Sequence, residues 1–138
     1  NVNARGILTG LTRDTGPKEI TRATVESVAY QTYDLFEAMK NDGLKPKLIK
    51  VDGGMVLNNW FSQFLSDTIN TKVLRPKVNE TTALGAAFMA GLQIGVYKSL
   101  KDIAKNWQAD KSFKPRIKNS ERKILIDGWS KAIKKTLS

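Results

Sequence analysis

Apolar positions recur at helical spacing over several long stretches of this chain, with short β-like runs between them. In residues 18–40, Val25, Val28, Ala29, Thr32, Phe36 and Met39 follow i, i+3, i+4 steps and predict one long amphipathic helix. Gly16 is placed to cap it, Pro17 fits the first helical position, and Glu19 falls near the positive end of the helix dipole. The Asn-Asp-Gly run at 41–43 ends the helix, and Gly43 suits a left-handed cap. A second helix is predicted over 58–70, where Trp60, Phe61, Phe64, Leu65 and Ile69 are apolar. A third, over 81–94, carries a small-residue surface of Ala83, Ala86, Ala87 and Ala90, with Thr81 or Thr82 as cap. A shorter helix follows at 99–106, and a last one at 120–135 with Ser120 as cap.

Between these lie the strand candidates. Residues 47–51 read Lys-Leu-Ile-Lys-Val, and 72–75 read Lys-Val-Leu-Arg before Pro76 stops the run. Residues 5–12, punctuated by Gly6 and Gly10, read as a strand plus turn, and 111–117 as an extended segment around Pro115. Strands alternating with helices predict an α/β layer with a largely parallel sheet and flanking helices. There is no internal repeat and no low-complexity linker.

Charge divides the chain unevenly. The net charge is +10. Residues 1–97 hold eleven basic and nine acidic side chains, and residues 98–138 hold twelve basic and four acidic. That change marks a boundary near Tyr97, dividing an α/β core (1–97) from a basic helical C-terminal extension (98–138). A tail this basic suits a nucleic acid or another anionic surface. It equally suits a solvated helix face, since Lys131, Lys134 and Lys135 alternate with Trp129, Ala132, Ile133 and Leu137 at helical spacing. No zinc-finger spacing, helix-turn-helix pattern or aromatic-rich strand makes the nucleic-acid reading specific, so that partner is not expected.

Composition narrows the chemistry. The 138 residues are 41% hydrophobic and 26% charged, enough for one folded domain or a piece of a larger one. Cysteine and histidine are both absent, which excludes a disulfide scaffold, a Cys/His zinc site, a cysteine nucleophile and a histidine base. No apolar run approaches the ~20 residues of a membrane span, and no signal peptide is expected at the start.

The sharpest local feature is Val51-Asp52-Gly53-Gly54, where a strand runs into two glycines ahead of a helix. In open α/β sheets ligands bind beyond the carboxyl ends of strands. Glycines let backbone approach a ligand closely, and a helix start offers unpaired N–H groups. An adenine or ribose could lie on such a turn, with Asn58 and Asn59 adding amide hydrogen bonds. The same residues also read as a tight strand–helix connection with a structural Asp52. Asp52, Asp67 and Glu26 are the acids to weigh as a base or metal ligand, with Asp67 expected as a surface or capping acid on its helix. No two of them have the spacing of a carboxylate dyad, and neither GxxxxGK[ST] nor GxGxxG occurs. Tyr30, Trp60 and Trp107 are expected as core or interface residues.

Residues 6–26, GILTGLTRDTGPKEITRATVE, resemble the second signature of the FGGY carbohydrate kinases. The segments SVAYQTYDLFEAM, VDGGMVLNNWFSQFLSD and RPKVNETTALGAAFMAG, with Asp127-Gly128-Trp129, are similar to the glycerol kinase branch of that family. The resemblance implies an actin-like, RNase H-like ATPase fold of which this chain is the last part of the second domain. It implies a cytoplasmic ATP-dependent transfer of phosphate to glycerol, and ATP/ADP with magnesium as cofactors. Gly54 and Asn58, with Gly53 beside them, are implied as adenosine contacts, and the helix from Thr81 as a connecting helix at an interdomain hinge. Partners so implied are glycerol, ATP, an N-terminal kinase domain and further copies in a homo-oligomer. The family's catalytic aspartate, magnesium site and phosphate loops have no counterpart in this chain, so the chain alone is expected to be inactive. The alternative is a stand-alone basic module binding nucleotide or nucleic acid. Glu19, Tyr33, Leu65 and Tyr97 depart from common residues of the glycerol kinases, and none coincides with Gly54 or Asn58.

Overall fold

The computed structural model describes residues 4–137. Helix α1, Pro17–Asn41, is capped by Gly16, whose backbone N–H donates to Glu19 Oε2 at 2.9 Å. That bond above all holds the Glu19 carboxyl below its ordinary range. At the other end Gly43 takes φ +86°, and the N–H groups of Gly43 and Leu44 return to the carbonyls of Lys40 and Met39 at 3.0 and 2.9 Å. This is the left-handed stop anticipated from Asn-Asp-Gly.

Strand β1 (Leu48–Lys50) leads through a 3-10 turn (Gly54–Leu57) into α2 (Asn59–Ile69), and then into β2 (Lys72–Pro76). Helix α2 is thus the crossover that lets β1 and β2 pair in parallel, with Ile49 opposite Val73. Helices α3 (Thr81–Gln93) and α4 (Leu100–Ala104) precede β3 (Ala109–Phe113), and α5 (Asn119–Leu137) follows it. The sheet order is β1-β2-β3.

The sheet is mixed rather than largely parallel. Strand β3 pairs antiparallel to β2, with Phe113 opposite Val73. Ala109 lies beside Pro76, and the Lys77 N–H donates to the Gln108 carbonyl at 2.9 Å, so the chain enters β3 beside the end of β2 and runs back along it. The segment after residue 97 therefore supplies a strand as well as two helices.

The core lies between α1, α2 and the sheet: Ala29, Phe36, Val56, Phe61, Leu65, Ile69, Val73 and Phe113 are buried together. Val25, Val28 and Tyr33 pack half-buried against them. Helix α5 docks on α1 through aromatic contacts. Trp129 stacks on Tyr30 with centroids 5.4 Å apart and donates its indole N–H to Asp34 at 2.8 Å.

Three local expectations are corrected. Residues 5–12 form no strand, because no described segment pairs with their backbone as a ladder; Ile7, Leu8 and Leu11 lie exposed. Helix α5 begins at Asn119, so Ser120 sits inside it, and the Lys118 N–H is met by Glu121 Oε2 at 3.2 Å. Glu80, not Thr81 or Thr82, occupies the cap of α3, with no side-chain cap bond, and Thr81, the first residue of the helix, gives its hydroxyl to Asp52.

Candidate functional site

The turn after β1 gathers the sequence candidates at the carboxyl end of the sheet. Gly53 precedes the 3-10 turn with φ +88°, a conformation that L side chains rarely adopt. Gly54 opens that turn, and a Cβ added at either glycine would meet nothing within 4 Å. The backbone here is open to a close neighbour.

Asn58 ends the turn and caps α2. Its Oδ1 accepts from the N–H groups of Trp60 and Phe61 at 2.9 and 3.3 Å. The side chain thus satisfies two orphan donors of the helix start. Asn58 also lines a groove of about 530 Å³ between the starts of α1 and α2, with Pro17, Thr21, Arg22, Val25 and Trp60 among its walls. The Arg22 guanidinium sits 5.2 Å from the Trp60 ring centroid, and Trp60 stacks on Phe64 with centroids 5.2 Å apart. The groove therefore offers an aromatic edge, a cation and the amide of Asn58. Gly53 and Gly54 are not among its lining residues.

The three acids have separate roles. Asp52 accepts from the Thr81 hydroxyl and so links the end of β1 to α3. Glu26 pairs with Arg22 at 2.7 Å. Asp67, expected at the surface, is 6% exposed. Its Oδ1 accepts from the Arg116 backbone N–H at 2.6 Å and from Gln63 Nε2 at 3.0 Å, fastening α2 to the chain after β3. Among the described residues, no group of three or more Asp, Glu, His or Cys is arranged to hold a metal ion.

The aromatics fall as follows. Tyr30 is half-buried between Phe64 and Trp129. Burial, then the nearby Glu26 carboxylate, pushes its phenol up to about 12. Trp60 is 40% exposed at the groove. Trp107 is half-buried beneath Lys50, whose Nζ lies 3.8 Å from the ring centroid.

Sequence reasoning missed Arg75. This β2 residue is buried, and its Nη1 lies 3.1 Å from the carbonyl oxygens of Val56 and Leu57 and from Asn59 Oδ1, its two N–H groups shared among the three acceptors. Its Nε donates to Asp110 Oδ2 at 2.8 Å, and Nη2 lies 2.5 Å from the same oxygen. The available signal was a lone arginine in the run Val73-Leu74-Arg75-Pro76.

Comparison with known proteins adds to this geometry. Residues 1–94 match the FGGY family of carbohydrate kinases, C-terminal domain. The chain is 47% identical over 137 residues to a glycerol kinase of Gluconobacter oxydans, covering 99% of this chain and 27% of that protein. It is 51% identical over 135 residues to glycerol kinase 1 of Pseudomonas aeruginosa, covering 98% of this chain and again 27% of the relative. In structure it is similar to a Plasmodium falciparum glycerol kinase crystallised with ADP, with a TM-score of 0.84 and 34% identity, covering 99% of this chain and 28% of that one. The chain thus spans just over a quarter of the length of these relatives.

Proposed function

The chain belongs to the FGGY family of carbohydrate kinases, and on that premise we propose that it is the C-terminal, adenosine-side part of a glycerol kinase. Such an enzyme moves the γ-phosphoryl group of ATP to glycerol, giving sn-glycerol 3-phosphate. The observation that carries the reading is the similarity, over 99% of this chain, to a glycerol kinase crystallised with ADP.

Within this proposal the residues divide the work. Gly53 and Gly54 present bare backbone at the carboxyl end of β1, where a bound nucleotide can come close without meeting a side chain. Asn58 holds the start of α2 and turns its amide toward the nucleoside. Residues 1–97 form the nucleotide side, and 98–138 brace it through β3 and α5. Magnesium would arrive with the nucleotide, its ligands being expected from the rest of a full-length kinase. Glycerol, the catalytic aspartate, the N-terminal domain, a homo-oligomer and a cytoplasmic setting belong to the same proposal. Phosphoryl transfer depends mainly on positioning and charge neutralisation, and this chain holds only part of that apparatus.

Titrating the chain with ADP and following amide chemical shifts tests the proposal. Perturbations clustered at Gly53, Gly54 and Asn58 are expected. No response at millimolar nucleotide would overturn a preformed half-site. With glycerol and MgATP the chain alone is expected to form no product above background.

A further inference from the structure

Arg75 stands on β2, yet its bonds converge on the turn that carries the candidate nucleotide contacts. Its acceptors at Val56, Leu57 and Asn59 bracket Asn58 from both sides. Its remaining bonds run to Asp110 on β3. One guanidinium therefore ties the 3-10 turn, the first residue of α2, and the strand contributed by the basic C-terminal segment.

A buried cation is costly, and an apolar residue of similar volume would pack β2 without that penalty. What such a residue cannot supply is a rigid planar fork reaching two carbonyls and an amide oxygen on one side and a carboxylate on the other. We infer that Arg75, held by Asp110, is the positioning residue that sets Asn58 for adenosine binding. This rests on the nucleotide reading above and extends it to two residues outside the candidate contacts Gly53, Gly54 and Asn58. It also gives the C-terminal segment a part in that site: Asp110 lies beyond residue 97 and fixes the arginine that holds the turn.

The test compares the 138-residue chain with Arg75→Lys and Asp110→Asn, with Lys111→Gln as a control from the same strand. Three quantities are read: the ADP dissociation constant, the hydrogen-exchange rates of the Trp60 and Phe61 amides that Asn58 caps, and the global unfolding midpoint. Arg75→Lys keeps the charge and loses the fork. It is expected to weaken ADP about tenfold and to speed exchange at Trp60 and Phe61 by a similar factor. Asp110→Asn keeps one acceptor and is expected to weaken ADP about threefold. Lys111→Gln should change neither. Unchanged ADP affinity and unchanged exchange in a folded Arg75→Lys chain overturn the inference. So does an exchange increase spread evenly over the molecule, which would mark a purely structural arginine. If Arg75→Lys fails to fold, Asp110→Asn, whose altered side chain is half-exposed, decides by the same criteria. If the unaltered chain ignores ADP, the preformed half-site is overturned on its own account, and exchange confined to Trp60 and Phe61 still shows whether Arg75 positions Asn58.

Discussion

The Thr81 hydroxyl donates to the Asp52 carboxylate, joining the end of β1 to the first turn of α3 across 29 residues of chain. On its apolar side helix α3 is held by half-buried Leu84 and Phe88, the latter edge-on to Tyr97 with centroids 5.5 Å apart, whereas Met89 is half-exposed and Ala83, Ala86, Ala87 and Ala90 are exposed. The small-residue surface of the helix is open among the described residues, and the Thr81–Asp52 contact is the side-chain tie at the helix start.

Thr81→Val is therefore expected to free the start of α3 locally. Amide exchange at the helix start should rise several-fold, because local opening there breaks few other contacts. The global unfolding midpoint should move by no more than a few degrees. Hydrogen exchange read beside a thermal melt checks this. A large fall in midpoint with no local change would contradict it.

The two glycines of the turn should respond differently. Gly53→Ala forces a side chain into φ +88° and is expected to cost about 1–3 kcal/mol in urea unfolding. Gly54 has no such φ and open space where a Cβ would stand, so Gly54→Ala should unfold within about 0.5 kcal/mol of the parent. If backbone at Gly54 meets the nucleotide, the same substitution should still weaken ADP severalfold.

Much of the fold was legible because local rules and tertiary packing agree. The stripe through Ala29 and Phe36 is buried as its spacing predicts, and Gly16, Glu19 and Gly43 bound α1 as their chemistry predicts. What escaped depends on contacts distant in sequence. The direction of β3 is fixed by where the chain re-enters beside Pro76, which no periodicity encodes. Asp67 read as a surface acid because its partner, the Arg116 amide, is 49 residues away. The turn was found from Gly53 and Gly54, whereas Arg75, which holds it, lacks a local motif because its acceptors lie 16 to 35 residues away. The groove beside Asn58 was equally hidden, since the start of α1 supplies its other wall.

Asn58 combines two duties that substitutions can separate. Asn58→Ala removes the cap acceptor for Trp60 and Phe61 and is expected to cost about 1 kcal/mol. Asn58→Asp keeps a capping oxygen and adds favourable charge at a helix start, so stability should hold. The same carboxylate has no amide to donate and repels a polyphosphate, so ADP binding should fall at least as far as in Asn58→Ala. Urea unfolding and an ADP titration on both variants read the two duties apart. Equal ADP binding by Asn58→Asp and the parent would show that the residue only caps.

Tyr30 gives the chain an alkaline limit. Its phenol is pushed up to about 12 by burial and by Glu26, against roughly 10 for a free tyrosine. Between those values the unfolded chain loses the proton while the folded chain keeps it. The stability linked to the neutral phenol is therefore complete below about pH 10 and is lost as pH rises toward the folded value. Burial raises Tyr33 in the same direction, so the two act together. Removing the hydroxyl in Tyr30→Phe leaves the ring to stack on Trp129 and takes away that titration. Urea unfolding from pH 9 to 12 should give a shallower alkaline decline in Tyr30→Phe than in the parent chain. Parallel curves would mean that Tyr30 ionises as easily in the folded chain as in the unfolded one.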